Sequence, residues 1–479
     1  MNTGSLATRT IRGTLWTGSA FVLQILTTLV FYSVLAIDDM GLFEWSLFVV
    51  MLLALLCDLG LGSALVQKRD AGDGHFDTAF WVCLLTGAVV TLGVQWQIDW
   101  VCEWLAGPDA AGMRPILSGM MWIVPFAAVS GVFRARLQRD LRWSAMASAE
   151  IASSAAHAIS AFGLLAANFG ILSAVYSAVV REAVLLLGLA LTGRWRPGLG
   201  VSRASLQLIL SFGLNLTGSR CINYLNSNLA RIIIYNTLGP LALGYYGFAY
   251  RLTLMPLVRI STIITRVFFP TFSAIQQDDA LLRRVYVKST QAVALAYWPA
   301  LTAVIVFAPQ IIDVVLEEGS PALWPLRLLA VATLIKAVGA SVGSIFLAKG
   351  RASWALYWSL FSIVVLVPTL WLGVNHWGLI GACVVIAATA ILFLLLSQYL
   401  ANRLITLSFG TYLGALIRPS LLALWVGAVS WIAQAWLPQA PMAGAIAAAA
   451  IVAVAGLSGL RLLAWDLCLG MWKSARGRD

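Results

Sequence analysis

Five arginines lie in a segment, residues 206–270, that is apolar enough to form two membrane helices joined by a short turn. They are Arg220, Arg231, Arg251, Arg259 and Arg266. A guanidinium in hydrocarbon costs roughly 3 to 15 kcal/mol, depending on how far the side chain reaches toward water. Such residues persist where they face a wet cavity or a counter-ion, and guanidinium groups bind phosphoryl oxygens through paired N–H donors. The segment is therefore predicted to handle an anion.

Helical spacing sorts the polar side chains of this segment onto separate faces. Arg251 and Arg259 share a basic stripe on the second helix, whereas the asparagines share one arc of the first. The residues predicted to line a polar, phosphate-binding cavity are Arg220, Arg251, Arg259, Asn215, Asn223 and Asn226. The alternative is structural: Arg231 and Arg266 extend to the two membrane surfaces, and the other arginines bind carbonyls or acids.

Two acids inside predicted spans could carry a coupling ion, namely Asp58 and Glu182. For Asp58 a structural helix contact is an equal alternative, and for Glu182 the simplest interpretation is pairing with a basic residue across the cavity. Glu44, Asp77 and Glu150 lie near span ends, so an interfacial position is expected for them.

The sequence offers no catalytic or metal-binding constellation. The three histidines and six cysteines are scattered, and no phosphate-binding loop of the G-x-x-x-x-G-K-[ST] type occurs. Asp38-Asp39 occupies the kind of outer loop where some membrane glycosyltransferases place a catalytic acid. Because the longest predicted outer loop is only 99–114, a membrane glycosyltransferase or polymerase is the weaker hypothesis. No enzyme activity, metal or cofactor is predicted.

Composition predicts an all-α polytopic membrane protein. Of the 479 residues 61% are hydrophobic and 11% charged, and apolar runs with short polar breaks fill the chain. Fourteen transmembrane helices are predicted near 11–36, 41–66, 77–99, 115–136, 144–167, 170–192, 205–235, 241–270, 286–312, 323–347, 353–374, 377–401, 411–436 and 440–463.

Charge distribution predicts the orientation in the membrane. Basic residues concentrate in alternate loops, whereas the other set of loops carries mainly acids and the single base Arg114. The positive-inside rule therefore places both termini in the cytoplasm. The net charge of +11 is explained in the same way and does not indicate a nucleic-acid partner.

A weak internal repeat of about 205–210 residues predicts two parallel lobes. The matched pairs are 41–43 with 244–246, 64–67 with 274–277, and 131–145 with 343–355. Six spans separate each pair, so two six-helix lobes around a central cavity are expected. The predicted boundaries are 1–200 for the first lobe, 201–405 for the second, and 406–479 for two additional helices with a basic cytoplasmic tail.

Several segments resemble the Wzx-type flippases of bacterial polysaccharide export, within the multidrug/oligosaccharidyl-lipid/polysaccharide exporter superfamily. They are 58–70, 133–143, 211–262, 266–278 and 345–351. The resemblance implies a flippase that moves polyprenyl-diphosphate-linked oligosaccharides across the inner membrane by alternating access, for lipopolysaccharide or exopolysaccharide biosynthesis. It also implies membrane lipids and the polymerase or export machinery as partners. Relatives often have N-L-D-N where this chain has Asn228-Leu229-Ala230-Arg231, so a role for that acid does not carry over.

A drug or small-molecule antiporter of the same superfamily is the main alternative function. Its cavity should be acidic or aromatic to hold a cationic substrate. The second half of this chain carries bases, and no acids, inside its predicted spans. The intramembrane charge therefore favours the flippase.

Overall fold

A computed structural model describes residues 20–68, 71–193, 195–436 and 441–461, and every regular element within these ranges is helical. The helices are α1 (Ala20–Val34), α2 (Ile37–Asp58), α3 (Leu61–Gln67), α4 (Asp73–Trp96), α5 (Ile98–Ala106), α6 (Ala110–Met120), α7 (Ile123–Arg139), α8 (Trp143–Ala166), α9 (Leu172–Thr192), α10 (Arg203–Ala274), α11 (Asp279–Val306), α12 (Ala308–Val315), α13 (Leu323–Gly339), α14 (Val342–Ala348), α15 (Ala352–Ile405), α16 (Phe409–Gln434) and α17 (Pro441–Gly459).

The predicted all-α membrane architecture is confirmed. Nine helical stretches of the described ranges are long and apolar enough to cross a membrane. The longest, Tyr357–Ile405, holds two predicted spans because the chain reverses at Gly378, where φ is 58°. α10 likewise reverses at Gly239, where φ is 80°, at the turn predicted from the sequence. The predicted outer loop 99–114 contains most of α5 and the start of α6.

The chain divides into two compact units. The first holds the chain up to Tyr235 together with Gly239–Gly244, and the second holds Asn236–Leu238 and the chain from Tyr245 onward. The first half of α10 thus packs within the first unit. A functional boundary between the lobes near residue 200 stays a prediction.

Glycines let the two repeats meet backbone to backbone at equivalent positions. A Cβ on Gly41 would lie 1.8 Å from the carbonyl oxygen of Pro240, and one on Gly244 would lie 2.1 Å from that of Ile37. Gly41 and Gly244 are separated by the same number of residues as Ile37 and Pro240. The two contacts are therefore equivalent under the repeat. Small residues permit such close approach between membrane helices. The first matched pair of the repeat is therefore a symmetric contact.

A second matched pair has the same backbone in both copies. After α7 the amide of Arg142 donates to Leu137 over 2.9 Å, and after α14 the amide of Arg351 donates to Phe346 over 2.8 Å. The residue before each arginine is left-handed, with φ of 54° at Leu141 and 70° at Gly350. The repeat is thus present in the fold as well as in the sequence.

Similar ion pairs link the ends of α7 and α14 to the helices that begin beside them. Arg136 contacts Asp73, in the first turn of α4, over 2.6 Å. Lys349 contacts Asp279, in the first turn of α11, also over 2.6 Å. A carboxylate in the first turn of a helix is stabilised by the positive end of the helix dipole. Each ion pair therefore joins such a carboxylate to a base at or near the end of another helix.

Exchanging leucine and glycine at the left-handed positions of the two turns should change the stability of the protein in opposite directions. Leu141→Gly should stabilise the protein by about 0.5–1 kcal/mol, because Leu141 is 63% exposed and strained at positive φ. Gly350→Leu should destabilise it by about 1–2 kcal/mol. Melting temperatures of the detergent-solubilised variants test this, and shifts of the same sign would contradict the equivalence of the two turns.

Candidate substrate site

A break in the second predicted span organises the polar groups of the first unit. α2 ends at Asp58, α3 begins at Leu61, and the two residues between them, Leu59 and Gly60, are both left-handed with φ of 48° and 65°. The break lies directly against α10, since a Cβ on Gly60 would lie 2.4 Å from the carbonyl oxygen of Gly213. The D-L-G-L-G sequence therefore places Asp58 beside α10.

Arg220 of α10 is bound to this break. Its Nη1 donates to Asp58 Oδ2 over 3.1 Å, and its Nη2 donates to Ser63 Oγ over 2.5 Å. The Arg220 side chain is 40% exposed, whereas that of Asp58 is 16% exposed. The structure thus joins a predicted phosphate ligand to a predicted coupling acid. Because a guanidinium carries five N–H donors, Arg220 can bind a further anion while holding Asp58.

Arg231 forms a second, deeper ion pair between α10 and α2. Its Nη1 donates to Asn228 Oδ1 over 3.0 Å, and its Nη2 lies 3.8 Å from Glu44 Oε2. The Glu44 side chain is fully buried and that of Arg231 is 16% exposed. Arg231 therefore pairs with a carboxylate within the protein, and the depth of this pair in the membrane stays a prediction. Arg231, the base gained beside the position where the relatives often have an acid, thus has its own carboxylate partner.

Aromatic side chains reinforce the contact between α2 and α10. Trp45 stacks on Tyr235 with ring centroids 4.4 Å apart, and Phe48 stacks on Tyr224 at 5.6 Å. The Tyr224 hydroxyl also donates to the Phe48 carbonyl over 3.1 Å. Both ion pairs therefore sit in a rigid interface.

The remaining predicted intramembrane acids also have partners. Glu182 accepts from its neighbour Arg181 over 2.8 Å, and Glu150 lies 3.5 Å from Arg134. Asp77 accepts from the Trp195 indole over 3.1 Å and from the backbone amide of residue 198 over 2.9 Å. Glu182 thus pairs with Arg181 on its own helix and not, as predicted, with a base across a cavity.

The predicted asparagine arc lies on the side of α10 that is not packed against α2. Asn215 and Asn223 are exposed and Asn226 is half-buried, whereas Gly213 and Thr217, on the side facing α2, are buried. Since exposed amides in a membrane helix are costly against lipid, this side fits a wet surface.

In the second unit Arg251 is half-buried on the second half of α10. The side chain of Arg259 lies outside the described residues, although its backbone belongs to α10. Sequence reasoning assigned no role to Lys336, an intramembrane base that is exposed on α13. The available signal was its position in the middle of a span. Among the described residues no group of three or more His, Cys, Asp or Glu side chains could hold a metal ion.

Comparison with known proteins shows what the chain resembles. The sequence profile described as "Polysaccharide biosynthesis protein" matches residues 32–319. The lipopolysaccharide biosynthesis protein WzxC of Escherichia coli K12 is 31% identical over 431 residues, which cover 88% of this chain and 85% of WzxC. The teichuronic acid biosynthesis protein TuaB of Bacillus subtilis is 25% identical over 383 residues, or 78% of each chain.

Solved structures share the fold at low identity. The inward-closed lipid II flippase MurJ superposes with a TM-score of 0.73 at 12% identity, covering 96% of this chain and all of that one. An inward-facing multidrug transporter of the MATE family superposes with a TM-score of 0.65 at 17% identity, covering 82% of this chain and 98% of that one. By the profile match and the WzxC identity, the chain belongs to the polysaccharide biosynthesis protein family.

Proposed function

We propose that this protein is a flippase that moves polyprenyl-diphosphate-linked oligosaccharide units to the outer leaflet of the bacterial inner membrane for surface polysaccharide synthesis. The observation that carries the proposal is the charge balance of the spans. Each acid that the sequence places inside a span already has an arginine or N–H partner. Exposed intramembrane bases such as Lys336 and Arg418 remain. Such an interior attracts an anion.

The substrate chemistry matches these groups. A diphosphate needs cations, which Arg220, Arg251 and Arg259 supply as paired N–H donors. The sugars need amide and hydroxyl partners, which the asparagine arc of α10 supplies. The polyprenyl tail stays in the bilayer, so the protein binds only the polar head.

Alternating access is the mechanism that we propose. The two compact units and the parallel repeat support it, because transporters built from structural repeats alternate between inward- and outward-open states. We place both termini in the cytoplasm on the basis of the loop charges. The names of the relatives, which refer to lipopolysaccharide and teichuronic acid biosynthesis, support a saccharide cargo.

A multidrug antiporter is the second candidate, favoured by the likeness to the MATE transporter fold. A cationic drug requires an available carboxylate. Asp58 and Glu182 are each held by an arginine, at 3.1 and 2.8 Å. The charge pairing therefore favours the anionic, lipid-linked substrate.

The lipid fraction of cells lacking the gene tests the proposal. We expect a complete polyprenyl-diphosphate oligosaccharide to accumulate on the cytoplasmic side, where it is protected from externally added glycosidase in intact spheroplasts. Wild-type protein should clear it, whereas Arg251→Ala should not.

Two outcomes would contradict the flippase. A complete unit already accessible on the outer side would indicate a polymerase or ligase. No accumulation, together with altered drug sensitivity, would indicate an antiporter.

A further inference from the structure

Lys336 lies in the middle of a helical stretch, Leu323–Ala348, that is long and apolar enough to cross a membrane. It is thirteen residues after the start of α13 at Leu323 and thirteen before Lys349, which follows α14. At 1.5 Å per residue each end of the span is about 20 Å away along the helix. The hydrocarbon core is about 30 Å thick, so the ammonium group cannot reach either surface by extending its side chain.

The side of α13 that carries Lys336 faces the protein interior. At about 100° per residue, Leu329, Ala332 and Thr333 lie within about 60° of Lys336, and all three are fully buried. The exposed apolar residues Trp324 and Val331 lie about 120–140° away. Lys336 is nevertheless exposed. The packed side of the helix thus leaves the lysine side chain uncovered by protein atoms.

Among the residues that the structure describes, none forms an ion pair or a hydrogen bond with the ammonium group of Lys336. An unpaired lysine at the centre of a membrane helix costs about 3 kcal/mol or more in lipid. The cost disappears in water and becomes a gain when an anion binds, so the geometry indicates a wet recess that receives negative charge.

An unpaired polar group lies one turn beyond the lysine. Ser341, between the end of α13 at Gly339 and the start of α14 at Val342, keeps a helical backbone with φ of −87° and ψ of −11°. Its side chain is 1% exposed, and its hydroxyl finds no hydrogen-bond partner among the described residues. A second polar group therefore lies close to Lys336 along this span.

We propose that Lys336 is a phosphate-binding residue of the second unit, contacting a phosphoryl oxygen of the lipid-linked substrate as it crosses the membrane. The inference deepens the proposed function and rests on it. An ammonium group is a compact point charge with three donors, so it can follow a moving diphosphate without the fixed geometry that a guanidinium requires.

Cysteine accessibility tests the wet recess independently of transport. In membranes, Lys336→Cys should react with a charged, membrane-impermeant methanethiosulfonate at least about tenfold faster than Val331→Cys, because only a hydrated thiol forms the reactive thiolate. Val331 is a matched control, since it is exposed on the same helix but on the opposite side. Wild-type protein sets the background of the native cysteines, of which Cys57, Cys83, Cys102 and Cys383 are buried. Equal rates would overturn the recess.

Charge substitution tests the substrate contact. In the deletion strain, K336Q should leave the complete lipid-linked oligosaccharide trapped on the cytoplasmic side with export reduced at least about tenfold, whereas K336R should restore part of the export. Normal export by K336Q would overturn the inference while leaving the flippase intact. No accumulation in the deletion strain itself would instead overturn the proposed function. If K336Q is not produced, the labelling of Lys336→Cys decides.

Discussion

Neutralising Arg220 and Asp58 together, as Arg220→Gln with Asp58→Asn, should leave a folded protein in the membrane that no longer exports polysaccharide. The two side chains form an ion pair of 3.1 Å in which Asp58 is only 16% exposed. Removing Arg220 alone leaves that carboxylate uncompensated, at a cost of about 3–5 kcal/mol. Removing both charges avoids the cost, so stability recovers in the double variant. Export does not recover if Arg220 also binds phosphate.

Melting temperature in detergent and export in the deletion strain measure the two effects separately. Ser63→Ala serves as a control, because it removes the other acceptor of Arg220 and keeps the ion pair. We expect this variant to export. Normal export by the neutral double variant would mean that Arg220 only ties α10 to α2 and does not touch the substrate.

A single methyl group at Gly213 should separate α10 from the break that holds Asp58. A Cβ there would lie 2.3 Å from the carbonyl oxygen of Leu59, which forces the two backbones apart. Overpacking of this kind costs about 1–3 kcal/mol, and it also lengthens the contact between Arg220 and Asp58. Gly213→Ala should therefore lower both the melting temperature and export.

Gly218 provides the matched control on the same helix. A Cβ at Gly218 meets nothing within 4 Å, and alanine favours a helix by about 1 kcal/mol over glycine. Gly218→Ala should thus melt at the same temperature as the wild type or higher. Similar losses in both variants would show that the close approach at Gly213 is not what stabilises this interface.

Local patterns were enough to predict the helices and the repeat. The turn at Gly239 followed from Gly-Pro between two apolar runs. The turns after α7 and α14 share an arginine at the equivalent place, Arg142 and Arg351. The shared arc of Asn215 and Asn223 followed from helical periodicity alone. These features depend on neighbours within a few residues, which a single sequence displays.

The partners of the charged residues were decided by tertiary structure. Arg220 and Asp58 are 162 residues apart, and nothing in their spacing distinguishes this pair from Arg220 with Glu44 or Arg231 with Asp58. The packing around Lys336 likewise depended on which sides of α13 its neighbours cover. The sequence by itself determined which segments enter the membrane and in what order, because hydrophobicity and turn chemistry act locally. Only the packed helices decided which buried charges pair with each other, because that depends on contacts between residues far apart in the chain.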